Sequence, residues 1–218
     1  MSLIIAVDDS KAFKRVAGRI GDLCGIASGF KLGIPLLLSA GLDGIRRVKS
    51  RCSGLWIADL KLADIGAIMV KTVDTVADAF DAIIAHSFIG AKGALWDLKE
   101  YMDSRGLKMI LVASMSHPGS REIYDAALDR IMGVVERVKP WGIVAPATRP
   151  SIIEKIRSRM QGSIKILAPG IGPQGAEPGD AICAGADYEI VGRMITSSSD
   201  IVEAARSVVR AMEERVCG

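Results

Sequence analysis

The sequence predicts a single-domain α/β protein that folds as a (β/α)8 barrel, and three observations support this prediction. Eight short apolar runs, rich in β-branched residues, recur along the chain, and segments with helical periodicity separate them. No linker, low-complexity tract or change of composition divides the 218 residues. Strict alternation of strand and helix indicates parallel pairing, and eight such units suit a closed barrel. An open, doubly wound sheet has the same alternation and is the alternative.

The predicted strands and helices cover most of the chain, which we treat as one domain spanning residues 1–218. Half of the residues are hydrophobic and 24% are charged, an ordinary composition for a chain long enough to bury one large core. The strands are predicted at residues 3–8, 29–34, 55–62, 82–88, 107–114, 141–147, 164–170 and 188–194. Helices are predicted at residues 11–24, 65–80, 92–105, 120–139, 150–160 and 200–216.

The charge distribution and the amino terminus argue against nucleic-acid and membrane partners. The net charge is only +3, and the densest basic run, residues 46–51, has no interleaved aromatic side chains, so we interpret it as a solvated helix face. The apolar start of the chain is short, lacks a basic leader and runs into Asp8 and Asp9. We therefore expect a cytoplasmic protein with no signal peptide and no membrane span.

The four cysteines, Cys24, Cys52, Cys183 and Cys217, are scattered along the chain. They form no C-x-x-C pair and have no histidine at metal-ligand spacing, so the sequence predicts neither a zinc site nor a disulfide framework. We expect reduced thiols, as is usual in the cytosol.

Charged side chains end two of the predicted strands. Asp59 and Lys61 lie near the end of the apolar run at 55–62, and Asp64 follows in the next loop. In an extended strand, residues two apart share a face with Cα atoms about 6.6 Å apart, so Asp59 and Lys61 are predicted to point into the same volume. Lys31 lies near the end of the preceding strand and joins them if the two strands are parallel neighbours. The sequence therefore predicts a cluster of two lysines and two aspartates.

In a (β/α)8 barrel the carboxyl ends of the strands form the active site. Besides the charged cluster, the residues at or just after predicted strand ends are Asp8, His86, Ser116, Pro169 and Arg193. Asp8 has a second interpretation as a helix cap, because a predicted helix follows it. The charged cluster has a second interpretation as a structural ion-pair network, although buried ion pairs add little stability over apolar packing.

The last two strands carry a second signal. Pro169 and Gly170 follow the seventh strand, and Gly192 follows the eighth together with Arg193. These positions place glycine amides and a guanidinium where such barrels often bind phosphate. The segment 172–179 is predicted to be a mobile flap whose Gln174 reaches the same anion. Tight turns alone would also explain the glycines.

These motifs make the chain similar to the orotidine 5′-phosphate decarboxylase family over nearly its whole length. The matching motifs are Asp8 in the first strand, Lys31-Leu32-Gly33 in the second, the D-x-K-x-x-D pattern of Asp59, Lys61 and Asp64, Met115-Ser116-His117-Pro118-Gly119 after the fifth strand, Pro169-Gly170-Ile171-Gly172 after the seventh, and Gly192-Arg193 after the eighth. The resemblance implies conversion of orotidine 5′-monophosphate to uridine 5′-monophosphate in pyrimidine biosynthesis. It also implies a homodimer without a metal or other cofactor, in which Asp64 and Ile65 of one subunit complete the site of the other.

The resemblance also implies catalytic roles. Asp59 would face the substrate carboxylate, and Lys61 would donate a proton to C6 as carbon dioxide leaves. Asp8 and Lys31 would hold ribose hydroxyls and orient the charged cluster.

The other implied roles concern binding. Ser116 would bind the pyrimidine amide, and Gln174 with Arg193 would bind the phosphate. No catalytic role falls to the two histidines: we expect His86 to be a hydrogen-bonded residue at the top of the barrel and His117 to shape its loop.

One position departs from the family pattern. Three residues after Ile65, where the family often has a threonine, this chain has Ile68, which cannot donate a hydrogen bond to the ribose. Thr72, one helical turn further along, is a candidate substitute; otherwise Asp64 acts alone.

Two alternative functions follow from the same residues. Magnesium-dependent decarboxylases and aldolases of phosphorylated sugars share the D-x-K-x-x-D pattern, but they typically have a glutamate at the position of Lys31, where an ammonium would repel a divalent cation. The second alternative is a non-catalytic sensor of a phosphate-bearing ligand. A sensor does not require Lys61 between two carboxylates.

Overall fold

The computed structural model describes residues 2–217 and shows a closed barrel of eight parallel strands, the TIM-barrel architecture. The strands are β1 (Leu3–Val7), β2 (Gly29–Gly33), β3 (Leu55–Leu62), β4 (Ala82–His86), β5 (Lys108–Val112), β6 (Gly142–Val144), β7 (Lys165–Pro169) and β8 (Tyr188–Val191). Each strand pairs with the next along the chain, and β8 closes the barrel by pairing with β1. The predicted (β/α)8 fold is confirmed, and the open-sheet alternative is wrong.

Helices connect successive strands around the barrel. They are α1 (Ser10–Gly18), α2 (Ile20–Cys24), α3 (Ile34–Ala40), α4 (Leu42–Lys49), α5 (Gly66–Val76), α6 (Trp96–Ser104), α7 (Leu128–Val138), α8 (Pro150–Met160), α9 (Asp180–Cys183), α10 (Arg193–Thr196) and α11 (Ile201–Glu214). Short helical turns lie at Ala77–Ala79 and Arg121–Asp125, and Ala91–Leu95 is an irregular turn with a non-helical backbone at Lys92 and Gly93. Within residues 2–217, no helix combines the length and the apolar character that crossing a membrane requires.

The helix prediction needs correction in several places. The predicted helix at 92–105 begins only at Trp96, because Lys92 and Gly93 have non-helical backbones, and the sequence does not predict α9 and α10. The predicted helix at 11–24 is interrupted, because Arg19 leaves the helical conformation with φ −122° and ψ 19°. The connection between β2 and β3, which periodicity leaves unassigned, folds into α3 and α4. These helices have seven and eight residues and meet at Gly41, which has the left-handed φ of +68° that glycine favours. Such short helices show too few turns for a clear apolar period.

Both faces of the barrel wall are buried, as parallel sheets covered by helices require. Every residue of β1 and β2 is buried. Ala6 and Lys31 are neighbours in register and line the interior of the barrel mouth. Phe30, which alternates with Lys31, stacks on Trp56 with ring centroids 4.9 Å apart. Apolar packing on the outer face therefore fixes the positions of the strands that carry the inward-facing charges.

The four cysteines form two disulfide bonds, Cys24–Cys52 and Cys183–Cys217, so the prediction of reduced thiols is wrong. Spacing rules detect only cysteines that lie close in sequence, whereas these pairs are 28 and 34 residues apart. The topology brings the first pair together: one cysteine ends α2 just before β2, and the other precedes β3, the parallel neighbour of β2.

We expect each disulfide bond to stabilise the folded chain by about 2–4 kcal/mol, because it closes a long loop in the unfolded state. Replacing Cys24 and Cys52 together by serine should lower the free energy of unfolding by about that amount, measured by guanidinium titration without reductant. Reductant should destabilise the double variant less than the wild type, since one bond is already missing. Equal unfolding midpoints of the wild type with and without reductant would contradict both bonds.

Candidate active site

The carboxyl ends of the strands surround a cavity of about 550 Å³, a volume that suits a small-molecule ligand. Most of the predicted site residues line it, namely Asp8, Lys31, Asp59, Lys61, Ser116, Pro169, Gly170, Gln174, Gly192 and Arg193. Apolar strand residues that the sequence analysis did not single out also line it, namely Ala6, Ile84, Val112, Val144 and Ile190. The cavity thus combines an apolar wall with a small set of charged and polar groups.

Asp59 lies between two lysines at this end of the barrel. Its Oδ2 is 2.8 Å from Lys31 Nζ, and both of its oxygens accept hydrogen bonds from Lys61 Nζ at 2.8 Å. Lys31 Nζ also contacts Asp8 Oδ1 at 3.2 Å. Asp59 and Lys31 are only 6% and 8% exposed, whereas 38% of the Lys61 side chain is exposed. The four residues therefore form a continuous row of alternating charges that ends in an accessible ammonium.

The end of β3 is not a regular strand. The pairing register with β4 shifts between Ala58 and Leu62, and Lys61 has a left-handed backbone with φ 44°. This conformation is unfavourable for a residue with a side chain, and strained backbone of this kind is enriched at active sites. An extended strand thus correctly predicts the contact between Asp59 and Lys61. It does not predict the bulge, which determines the position of the Lys61 ammonium.

The charges of Asp59 and Lys31 are maintained despite burial. Burial alone would raise the pKa of Asp59, but Lys31 and Lys61 outweigh it and hold the pKa below its ordinary value. Burial alone would lower the pKa of Lys31, but the carboxylates of Asp59 and Asp8 outweigh it and raise the pKa. Asp59 is therefore an anion and Lys31 a cation at neutral pH. Because the pKa of Asp59 is depressed, the stability gained from these ion pairs is lost only as the pH falls below the ordinary aspartate range.

Two neighbouring residues, Asp9 and Gly33, leave the Asp8 carboxylate free to contact Lys31. Asp9, and not Asp8, caps α1, since its Oδ1 accepts a hydrogen bond from the Ala12 N–H at 2.8 Å. The helix-cap interpretation of Asp8 is therefore wrong. Gly33 provides the space that the Asp8 carboxylate occupies, because a Cβ at Gly33 would lie 2.3 Å from Asp8 Oδ1. Steric exclusion thus explains why a glycine follows Lys31 by two residues.

The loops after β7 and β8 bring glycines and an arginine to the same cavity. Gly170 has φ +116°, a conformation that favours glycine, and a Cβ there would lie 3.0 Å from Thr148. Gln174, in the loop that follows, lines the cavity, as does Arg193 at the start of α10. This arrangement agrees with the phosphate-binding position expected from these loops.

A polar network that the sequence did not predict supports the loop after β5. The Met115 N–H donates to Ser120 Oγ at 3.0 Å, and the Met115 carbonyl oxygen accepts a hydrogen bond from Arg149. Arg149 in turn forms an ion pair with Asp125 at 2.9 Å. Because both backbone groups of Met115 are held, the adjacent Ser116 is presented to the cavity from a fixed backbone.

The two histidines have different surroundings. His86 shares a hydrogen bond between its Nδ1 and the Tyr124 hydroxyl, as predicted for a hydrogen-bonded residue at the barrel top. Burial, with a further effect of the nearby Lys61 ammonium, lowers the pKa of His86, so the ring is neutral at pH 7. Burial also raises the pKa of Tyr124 to about 12. His117 lines the cavity, which its predicted role in shaping the loop does not require.

Two predicted residues do not line the cavity of their own chain. Asp64 lies beyond the end of β3 and accepts a hydrogen bond from the Ile65 N–H at 2.7 Å. Ile65 is 61% exposed. Within one chain the two lysines therefore cluster with Asp59 and Asp8. Asp64, which the sequence predicts in this cluster, lies outside it.

Thr72 is not free to replace the threonine that the family pattern places at Ile68. Its hydroxyl donates to the Ile68 carbonyl oxygen at 3.0 Å, within α5. Ile68 itself is 42% exposed near the amino end of this helix. A bond to the ribose from Thr72 would require this local hydrogen bond to break.

We expect Ile68→Thr to keep KM and kcat within about twofold of the wild type, or to improve them, because threonine is the residue that the family often has at this position and its hydroxyl can donate to the ribose. Met69→Thr is a matched control: the next residue of the helix is fully buried, so the same threonine should cost about 2–4 kcal/mol of stability. Steady-state kinetics and thermal unfolding compare the two. A large loss of activity on Ile68→Thr would mean that Ile68 makes an essential contact.

The fold and the site together define a (β/α)8 enzyme of the phosphate-binding class, with a row of alternating charges at the carboxyl ends of its strands. The model of the orotidine 5′-phosphate decarboxylase / HUMPS family matches residues 1–208. The chain belongs to this family, and the resemblance inferred from its motifs is confirmed.

Individual relatives agree with this assignment along the whole chain. The orotidine 5′-phosphate decarboxylase of Aeropyrum pernix is 44% identical over 218 residues, which covers 98% of this chain and 89% of the relative. That of Saccharolobus solfataricus is 38% identical, with 98% and 93% covered. The crystal structure of the Methanocaldococcus jannaschii orotidine 5′-monophosphate decarboxylase, complexed with the inhibitor BMP, matches with a TM-score of 0.90 at 30% identity, over 98% of this chain and 99% of that chain.

Proposed function

We propose that this protein decarboxylates orotidine 5′-monophosphate to uridine 5′-monophosphate, a step of pyrimidine biosynthesis, and needs no metal or other cofactor. The observation that carries the proposal is the Asp59 carboxylate held at 2.8 Å from both Lys31 and Lys61 beside the cavity. Family membership supplies the substrate and the class of reaction, that of a carboxy-lyase.

The reaction needs positive charge at one carbon atom. When the bond between C6 and the carboxylate breaks, carbon dioxide leaves and the electron pair stays on C6, where no conjugated group accepts it. A cation fixed near C6 stabilises this charge as it develops, and no reorganisation is needed at that moment. Lys61 is the more exposed of the two lysines in the charged row, so it is the group we assign to this task. Its ammonium then gives a proton to C6, and solvent restores that proton.

Asp59 serves both the lysines and the substrate in this proposal. Its carboxylate holds Lys61 in place through two hydrogen bonds. It would also lie close to the substrate carboxylate, and two like charges about 4 Å apart repel by about 4 kcal/mol at an effective dielectric constant of 20. Departure of carbon dioxide relieves this repulsion. The same residue therefore orients the proton donor and favours loss of the carboxylate.

The remaining roles concern substrate binding. Asp8 and Lys31 bind ribose hydroxyls, and Ser116 binds the pyrimidine amide. Gln174 and Arg193 bind the phosphate, with the backbone of Pro169, Gly170 and Gly192 around it. Phosphate contacts remote from C6 can lower the barrier there if their binding energy closes the flap over the base.

We also propose a homodimer with shared active sites. Exposed apolar side chains follow four neighbouring strands, β2 to β5: they are Ile34, Leu38, Ile65, Ile68, Phe88, Trp96 and Ile123. An extended apolar surface of this kind typically marks a site of protein association. Asp64 precedes Ile65, so a second chain packed on this surface would receive Asp64 and Ile65 at the edge of its own cavity.

We infer a cytoplasmic location from the family. The two disulfide bonds remove the argument from reduced thiols but are compatible with this location, because intracellular proteins of hyperthermophilic archaea and bacteria are also rich in disulfides.

The proposal is tested by mixing purified protein with orotidine 5′-monophosphate and following near-ultraviolet absorbance, with and without a chelator. We expect conversion that the chelator does not affect, with uridine 5′-monophosphate as the product. Conversion that the chelator abolishes would contradict the metal-free reaction. Absence of conversion by folded protein would favour a phosphorylated sugar as substrate with added magnesium, or, if binding occurs without turnover, the sensor.

A further inference from the structure

The flap, residues 172–179, is anchored at both of its ends. At its start, the Ala176 N–H donates to the carbonyl oxygen of Gly170, the residue after β7, at 3.3 Å. At its end, the Gly179 N–H donates to both carboxylate oxygens of Glu189, at 3.0 and 2.9 Å. Gln174 lies between the two anchors. The second anchor therefore determines how the end of the flap meets the barrel.

Glu189 is a fully buried carboxylate in β8. Its neighbour Ile190 lines the cavity, so strand alternation directs the Glu189 side chain away from the cavity and toward α9. There its Oε1 accepts further hydrogen bonds from the N–H groups of Ala181 at 3.0 Å and Ile182 at 3.4 Å. Burial of a carboxylate is costly, and the reaction proposed above does not use this one. The Glu189 carboxylate therefore has a role other than proton transfer or substrate contact.

We infer that Glu189 is a positioning residue for phosphate binding, which ties the end of the flap to β8 and so fixes Gln174 relative to Arg193. Arg193 begins α10 directly after β8, so a single carboxylate links the two loops to which the proposed function assigns the phosphate. The ligand class is a nucleoside 5′-phosphate, and the inference rests on that proposed function.

Glu189→Leu should weaken binding of uridine 5′-monophosphate by about tenfold or more, because small displacements of binding groups have large effects. Binding of uridine, which lacks the phosphate, should stay within about twofold of the wild type. Titration calorimetry measures the affinity for the nucleotide directly. The affinity for uridine is measured by displacement of the nucleotide. Glu189→Gln keeps the Oε1 acceptor and loses the one at Oε2, so it should give a smaller effect and provides a measurement if the leucine variant does not fold.

Asp187→Asn is the matched control. Asp187 lies one residue before β8, where it pairs with Arg157 and Lys165 at 20% side-chain exposure, away from the flap. It should lower the thermal stability and leave the ratio of nucleotide to uridine affinity unchanged.

Three outcomes are informative about different claims. Equal loss of nucleotide and uridine affinity in the Glu189 variants would mean a merely structural role and overturn the inference. Wild-type nucleotide affinity in both variants would overturn it as well. Failure of the wild type itself to bind uridine 5′-monophosphate would instead contradict the proposed function, so the two failures are distinguishable.

Discussion

Lys61→Ala should abolish decarboxylation, with a loss in kcat of more than about 10⁴-fold, while uridine 5′-monophosphate binds within about threefold of the wild type. The variant loses both the proton donor and the positive charge that stabilises the electron pair on C6. The product carries neither a carboxylate nor a charge at C6, so it gains little from Lys61. Single-turnover kinetics measures the first quantity and equilibrium titration of the product measures the second.

The control for this prediction is Lys155→Ala. Lys155 is an exposed lysine of α8 that pairs with Asp129 at 3.2 Å on the outside of the barrel, so its removal should leave kcat unchanged. Circular dichroism of Lys61→Ala should match the wild type, because Lys31 still neutralises Asp59. Retained turnover in folded Lys61→Ala would exclude Lys61 as the proton donor.

The fold is predictable from the sequence because its pattern is local. Each strand is an apolar run of a few residues, and the outer-face packing that fixes it, such as Phe30 on Trp56, needs only large apolar side chains at the right period. The two disulfide bonds depend on contacts between residues distant in sequence. They become apparent only when the order of strands around the barrel is known.

The candidate site also combines residues that the sequence predicts with features that depend on the folded structure. Lys31, Asp59 and Arg193 could be located from the sequence because each lies in or just after the carboxyl-terminal part of a strand, and these strand ends meet at one end of a barrel. The left-handed backbone of Lys61 could not be predicted, because it accompanies a register shift against β4 and does not follow from the residue type. The pair of Arg149 and Asp125 could not be predicted, because neither residue belongs to a motif and Arg149 contacts only the backbone oxygen of Met115 within one.

Asp64→Ala should by itself reduce kcat/KM by about 100-fold or more, and activity should return when this variant shares a dimer with Lys61→Ala. If Asp64 acts in the partner's site, a mixed dimer contains one site with both residues intact. One of the two sites of the isolated mixed dimer is then intact, so about half of the wild-type activity should return. Coexpression of the two variants with different affinity tags, followed by isolation of the mixed dimer, measures this recovery.

Lys61→Ala combined with Asp59→Asn provides the matched control, since both residues contact each other within one chain at 2.8 Å. Every site of that mixed dimer carries one lesion, so no activity should return. Recovery with Asp64→Ala and none with Asp59→Asn would place Asp64 in the cavity of the partner subunit and not in that of its own chain. No recovery in either mixed dimer would mean that Asp64 acts in its own subunit, and the loop after β3 would then have to close inward to reach Lys61.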